Sequence, residues 1–178
     1  KSCIIVTEAK ILHLEDCNFG KSQSNTIQIK KIWAKNPMIM RCSFSGSNGS
    51  CIEVKGKSNL IVKNCKFEDK PTEGDSSGDP LICARDGSNV TIKESDFNDV
   101  KRICIKAVKK SEVNLEKCNL TGNKNVTDYA IYIENKSKAN ISNCTFDWAN
   151  NKLFFAKNSK SVTIEGISAE IKETVNTQ

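Results

Sequence analysis

Apolar and polar residues alternate along this chain in short bursts, no burst sustains a helical period, and the bursts return at a nearly constant spacing. The clearest instance is Leu60-Ile61-Val62-Lys63-Asn64-Cys65-Lys66-Phe67. Two apolar residues flank an outward one, a Cys follows two residues on, and an aromatic closes the unit. The pattern recurs at Leu12–Phe19, Pro37–Phe44, Val90–Phe97, Val113–Leu120, Ala139–Phe146 and, more weakly, Val162–Ala169. With the Cys slot as marker, the positions are 17, 42, 65, 95, 118, 144 and 167, and the spacings are 25, 23, 30, 23, 26 and 23. Self-similarity of that length means one supersecondary unit used repeatedly.

A second alternating segment sits eight residues upstream in each unit: Ile4/Val6, Ile29 (with Lys31 off pattern), Ile52/Val54, Ile82/Ala84, Ile105/Ala107, Ile131/Ile133 and Phe154/Ala156. Turn-formers such as Gly56-Lys57-Ser58-Asn59 and Asp86-Gly87-Ser88-Asn89 separate the two segments. Each unit therefore reads as strand, tight turn, strand, bend, short third strand and variable loop. One such unit cannot bury its inward face alone. Stacking unit on unit, with parallel strands about 4.8 Å apart, buries a continuous column and satisfies the backbone. The expected fold is all-β, a single-stranded parallel β-helix of about seven coils of 23–30 residues, with Val62, Ile92, Leu115 and Ile141 in one inward column. Length changes are expected only after the Phe slot, the longest loop being 68–80.

These repeats resemble the right-handed parallel β-helix families of the pectin-lyase-like superfamily, including their carbohydrate-binding and sugar-hydrolase-type repeat modules. The resemblance spans Cys3 to Ala169 and implies right-handed coiling. It implies no single activity, because those families hold lyases, hydrolases, adhesins and non-enzymatic scaffolds. The expectation is one β-helix domain over 1–178, cut from a longer protein because Lys1 stands where an initiator Met would be.

Composition narrows the function classes. No apolar run approaches the roughly 18 residues that span a bilayer. The net charge of +6 comes from lysines spread among 21 acids, with only Arg41, Arg85 and Arg102 to supply guanidinium groups, which argues against nucleic-acid recognition. Of the nine cysteines, Cys17, Cys42, Cys65, Cys118 and Cys144 share the inward slot, completed by Ser95 and Ile167. Cys3, Cys51 and Cys104 precede first strands, and Cys83 is out of register. An odd count with no C-x-x-C pair points to buried, unbridged thiols acting as small hydrophobes, with no metal and no cofactor. It favours an intracellular, cytoplasmic location. Seven sequons, at Asn48, Asn89, Asn119, Asn125, Asn135, Asn140 and Asn143, point the other way and are read as turn and strand asparagines.

Three residues before each first strand runs a column Lys1, Thr26, Gly49, Asp79, Arg102, Asp128, Asn151, with Glu73 and Asp75 at the same corner. The resemblance gives Asp79, Arg102 and Asp128 a catalytic reading, since β-helix lyases and hydrolases set Asp, Lys or Arg on neighbouring coils to bind uronate, calcium or water. Alternating charges one coil apart equally make an exposed ion ladder. His13, the only histidine, occupies an outward slot with no carboxylate expected nearby. Tyr132, Trp148 and Phe155 are the candidate binding aromatics for a protein partner or a glycan. The leading expectation is a non-enzymatic interaction scaffold for a protein partner, with end-to-end self-association a further expectation and no membrane partner. The competing one is a polysaccharide lyase or glycoside hydrolase at the Asp79/Arg102/Asp128 corner. An ice-binding solenoid fails for want of a repeated Thr-x-Thr face.

Overall fold

Every repeat turns its alternating segments into three short strands, because β-branched and aromatic residues in period-two alternation suit a pleated, half-buried surface. The computed structural model describes residues 2–69, 78–148 and 152–167, and all the strands there lie in three parallel sheets. The first sheet joins seven strands: Ile4–Thr7, Ile27–Lys30, Ile52–Lys55, Ile82–Ala84, Ile105–Ala107, Ile131–Glu134 and Phe154–Lys157. The second also joins seven, from His13–Glu15 to Ser161–Glu165, and the third joins six, from Asn18–Phe19 to Thr145–Asp147. Each strand pairs with its counterpart one coil on, as a parallel solenoid requires.

The register stacks like on like. Ile39, Val62, Ile92, Leu115 and Ile141 are consecutive partners in the second sheet, and all are fully buried. In the third sheet the rings of Phe19, Phe44, Phe67 and Phe97 form one stack, with centroid spacings of 4.9, 4.8 and 4.7 Å and interplanar angles of 12°, 3° and 7°. The spacing is the coil rise itself, so the backbone ladder sets the ring stack.

Two expectations need correction. In the second coil the first strand is Ile27/Ile29, not Ile29 with an off-pattern Lys31, because Ile4 pairs with Ile27 and Val6 with Ile29. That coil carries two extra residues in the turn before Met38, so insertions are not confined to the segment after the Phe slot. The longer turn buries Ile32 and Ala34 and leaves Trp33 74% exposed. The Cys slot is also not uniformly buried: Cys42, Cys65, Cys118 and Cys144 are, but Cys17, in the first described coil and packed on one side by the Cys42 coil, is only half-buried.

The bend between the second and third strands explains the slot. The residue just before it takes a positive φ in every coil: Asp16 54°, Arg41 50°, Asn64 52°, Glu94 50°, Lys117 54°, Asn143 53° and Gly166 57°. For a residue with a Cβ this costs about 1–2 kcal/mol, so something must hold it. The slot side chain does. Its thiol donates to the carbonyl two residues back, Cys42 to Met40 at 3.2 Å, Cys65 to Lys63 at 3.3 Å, Cys118 to Glu116 at 3.5 Å and Cys144 to Ser142 at 3.3 Å. Ser95 does the same to Lys93 at 2.8 Å and also accepts the Cys65 amide at 3.1 Å. In the six coils whose corner residue has a Cβ the slot holds a small side chain with one donor, Cys or Ser, whereas Ile167 follows Gly166, which needs no such support.

Two outcomes follow. Phe67→Ala removes the centre of the ring stack and is expected to cost about 3–5 kcal/mol in urea unfolding; a loss under about 1 kcal/mol would mean the stack is not packed. Burial pushes the Cys42 and Cys83 thiols up to about 11 and Cys51 to about 12. A thiol reagent should therefore label Cys3 and Cys17 in the native protein, and Cys42, Cys51, Cys65, Cys83, Cys104 and Cys118 only in denaturant, whereas equal labelling at neutral pH would contradict their burial.

Candidate functional site

Because strands stack in register, each outward position of the first sheet becomes a column along the rod. One such column runs Ile5, Gln28, Glu53, Cys83, Lys106, Tyr132, Phe155. Above Ile5, which is exposed, its lower half closes around Glu53. Glu53 is buried although it points outward, and four donors reach it: Asn25 Nδ2 and Gln28 Nε2 at 2.6 Å, Lys55 Nζ at 2.9 Å and Arg85 at 3.1 Å. Burial alone would raise its pKa, but Gln28, Lys55 and Arg85 together more than offset this and hold it below the usual carboxylate range. The carboxylate is thereby committed to its neighbours.

The upper half of the column is aromatic. Tyr132 and Phe155 stack at 4.5 Å and 18°, Tyr129 leans on Phe155 at 5.3 Å and 52°, and all three are half-buried. Lys106 Nζ lies 4.7 Å over the Tyr132 ring and Lys152 Nζ 5.7 Å over Tyr129, so cations cover two ring faces. The Tyr132 hydroxyl donates to Glu134 at 3.3 Å. Trp148, expected on this face, is instead in the core. It packs against Gly122, where a Cβ would come within 2.9 Å of the indole, and its Nε1 donates to the Asp128 carbonyl at 2.9 Å. Tyr129 takes the place the sequence reading assigned to Trp148.

The corner residues are placed differently from one another. Asp79 is exposed, Asp128 is half-buried and Arg102 is buried. The Arg102 guanidinium reaches past the coil that carries the long loop. It meets the Asp69 carboxylate at 3.2 Å and donates to the carbonyls of Ser47 at 2.6 Å and Gly49 at 3.2 Å, two coils below. The acid on Arg102 is thus Asp69, a residue the column reading passed over because it lies on the third-strand side of the loop. The corrected second-coil register also puts Ser24, not Thr26, in this column. Glu73, Asp75, Lys1 and Asn151 lie outside the described residues.

His13 does have a carboxylate beside it: its Nε2 is 3.0 Å from Glu15, two residues on along the same strand face. Arg41 from the next coil pairs with Glu15 and, bidentately at 2.8 Å, with Asp16. The His13 hydrogen bond and Arg41 hold Glu15 below the ordinary carboxylate range. This is an exposed clasp between the first two coils. Among the described residues no cluster of three or more His, Cys, Asp or Glu is disposed to hold a metal.

The family model for the right-handed β-helix region matches residues 1–129, nearly three quarters of the chain. The chain belongs to the right-handed β-helix family. That agrees with the right hand the sequence resemblance implied. No curated protein matches the chain. Among solved structures it is similar to trypsin-treated QnrB1, described as a plasmid-mediated fluoroquinolone resistance protein, at 11% identity over 93% of this chain and 90% of that one, with a TM-score of 0.23.

The Glu53 cluster predicts an acid dependence. A carboxylate whose folded pKa lies below its unfolded value, about 4.3, adds stability that is present above that value and lost as pH falls through the folded one. The urea midpoint should therefore drop as pH is lowered below about 5, and Glu53→Gln should flatten that part of the profile. An unchanged acid limb in Glu53→Gln would show that the four donors do not stabilise the ionised form.

Proposed function

We propose that this chain is a non-enzymatic interaction module, a rigid rod that docks a protein partner on the outward face of the first sheet. The observation that carries the reading is the half-buried ring cluster of Tyr129, Tyr132 and Phe155, with Lys106 and Lys152 over its faces. Aromatic rings at the end of a flat sheet, flanked by cations, offer the anchors that protein interfaces use. The corner supports the same reading. A glycosidase needs two carboxylates free to exchange protons, and a lyase needs a free cation beside its base. Here Arg102 is spent on Asp69 and on main-chain carbonyls. The seven buried thiols favour a reducing, intracellular setting for the module.

Two experiments bear on it. Pectate, alginate and related uronans incubated with the protein should show no turnover; turnover abolished by Asp128→Ala in a protein that still folds would replace this reading with the enzyme. A photo-reactive amino acid at position 155 should give a discrete adduct in extracts of the source cells, competed by wild-type protein but not by Tyr132→Ala/Phe155→Ala. The same group at Lys66 on the third sheet should give none. Indiscriminate adducts from both positions would remove the docking face.

A further inference from the structure

The turns that join the first and second sheets carry a charge imbalance along the last three coils. There the chain reads Lys109-Lys110-Ser111, Asn135-Lys136-Ser137 and Asn158-Ser159-Lys160. Since Glu112, Lys138 and Ser161 are consecutive partners in the second sheet, Lys110 stands beside Lys136, and Lys160 lies one coil further and one residue along. Two adjoining clefts open here. One, of about 680 Å³, is lined by Lys109, Lys110, Asn135, Lys136, Asn158 and Ser159. The other, of about 560 Å³, shares Lys110 and Lys136 and adds Lys138, Lys160 and Glu112.

Five lysines thus line the two clefts against one lining carboxylate, Glu112. Lys138 is held to Glu112 at 3.8 Å and Lys109 to Asp86 at 3.5 Å, both loosely. Lys110, Lys136 and Lys160 are exposed and have no ion-pair partner among the described residues. Lys63 and Lys93 are also stacked partners on successive coils, but each is matched by an acid, Lys63 by Glu94 at 3.5 Å and Lys93 by Glu116 at 2.7 Å. Like charges on successive coils, about 4.8 Å apart, repel and cost stability, so their presence calls for an anion.

We infer that this double cleft binds an acidic, extended segment of the partner polypeptide, an inference that rests on the interaction-module reading above. The lining chemistry selects that class of anion. No aromatic ring lines either cleft, so a sugar or base has no face to stack on. No arginine is present to grip phosphate bidentately. Asn135, Asn158 and Ser159 instead supply neutral donors and acceptors suited to peptide amides. Carboxylates along an extended chain recur about every 3.4–6.8 Å, a range that brackets the lysine spacing set by the coil rise.

The test is fluorescence anisotropy with labelled deca-glutamate, in low salt and near about 150 mM. Binding should be salt-sensitive and weaken at least about tenfold in Lys110→Gln/Lys136→Gln/Lys160→Gln. The control Lys10→Gln/Lys21→Gln/Lys35→Gln removes the same charge from exposed lysines elsewhere and should change it less than about twofold. Circular dichroism checks that both triples fold. Equal loss in both triples would reduce the effect to net charge and overturn the inference. So would tighter, cleft-dependent binding of an oligogalacturonate or of a single-stranded oligonucleotide, each of which names a different class of ligand. Failure of the wild-type protein to bind the peptide overturns the cleft alone, because the interaction-module reading is judged separately by cross-linking at position 155.

Discussion

Parallel hydrogen bonding between successive coils, in register, is the constraint from which everything else in this molecule descends. It fixes the rise per coil and so turns each position of the repeat into a column of side chains at one spacing. Inward columns must then be apolar or self-satisfied, and outward columns must either alternate in charge, stack rings or tolerate repulsion. The phenylalanine stack, the aliphatic column through Val62 and Ile92, the ion pairs of Lys63 and Lys93 and the uncompensated lysines of the last turns are four responses to the same geometry.

The bend before the Cys slot shows how tightly local chemistry answers that geometry. Each coil must turn a corner with a left-handed residue, and three of the seven are Arg, Glu or Lys, which gain nothing from it. A donor on the next side chain, closing onto the carbonyl behind, holds the corner. The cysteines are thus more than small hydrophobes of the right size. They act as weak but repeated staples, and Ser95 fills the role with a shorter bond.

Much of the fold was legible in the amino-acid pattern because a solenoid writes its period into the chain. Strand positions, the inward column and the ring stack all follow from spacing alone. The second coil escaped because its two extra residues lie between its first and second strands, so counting eight residues back from Pro37 and Ile39 lands on Ile29 and Lys31 instead of Ile27 and Ile29, and a one-coil reading has no neighbour to correct it. The site was less legible, because side chains cross between coils in ways that position in the repeat does not encode. Arg102 skips its neighbouring coil to reach Asp69 and the carbonyls near Ser47, and Trp148 turns inward onto a glycine that leaves room for it. A glycine at position 122, opposite a tryptophan one coil on, was the one available signal for the second of these.

The structural assignment of the corner is the hinge between a scaffold and an enzyme, and a double-mutant cycle on Asp69 and Arg102, read by urea unfolding, tests it most directly. Removing either partner strands a buried charge, so Asp69→Ala and Arg102→Ala are each expected to cost about 3–5 kcal/mol. The double variant should cost clearly less than the sum of the two. If Arg102→Ala left stability unchanged, the guanidinium would be free for a ligand and the corner would have to be read as a site.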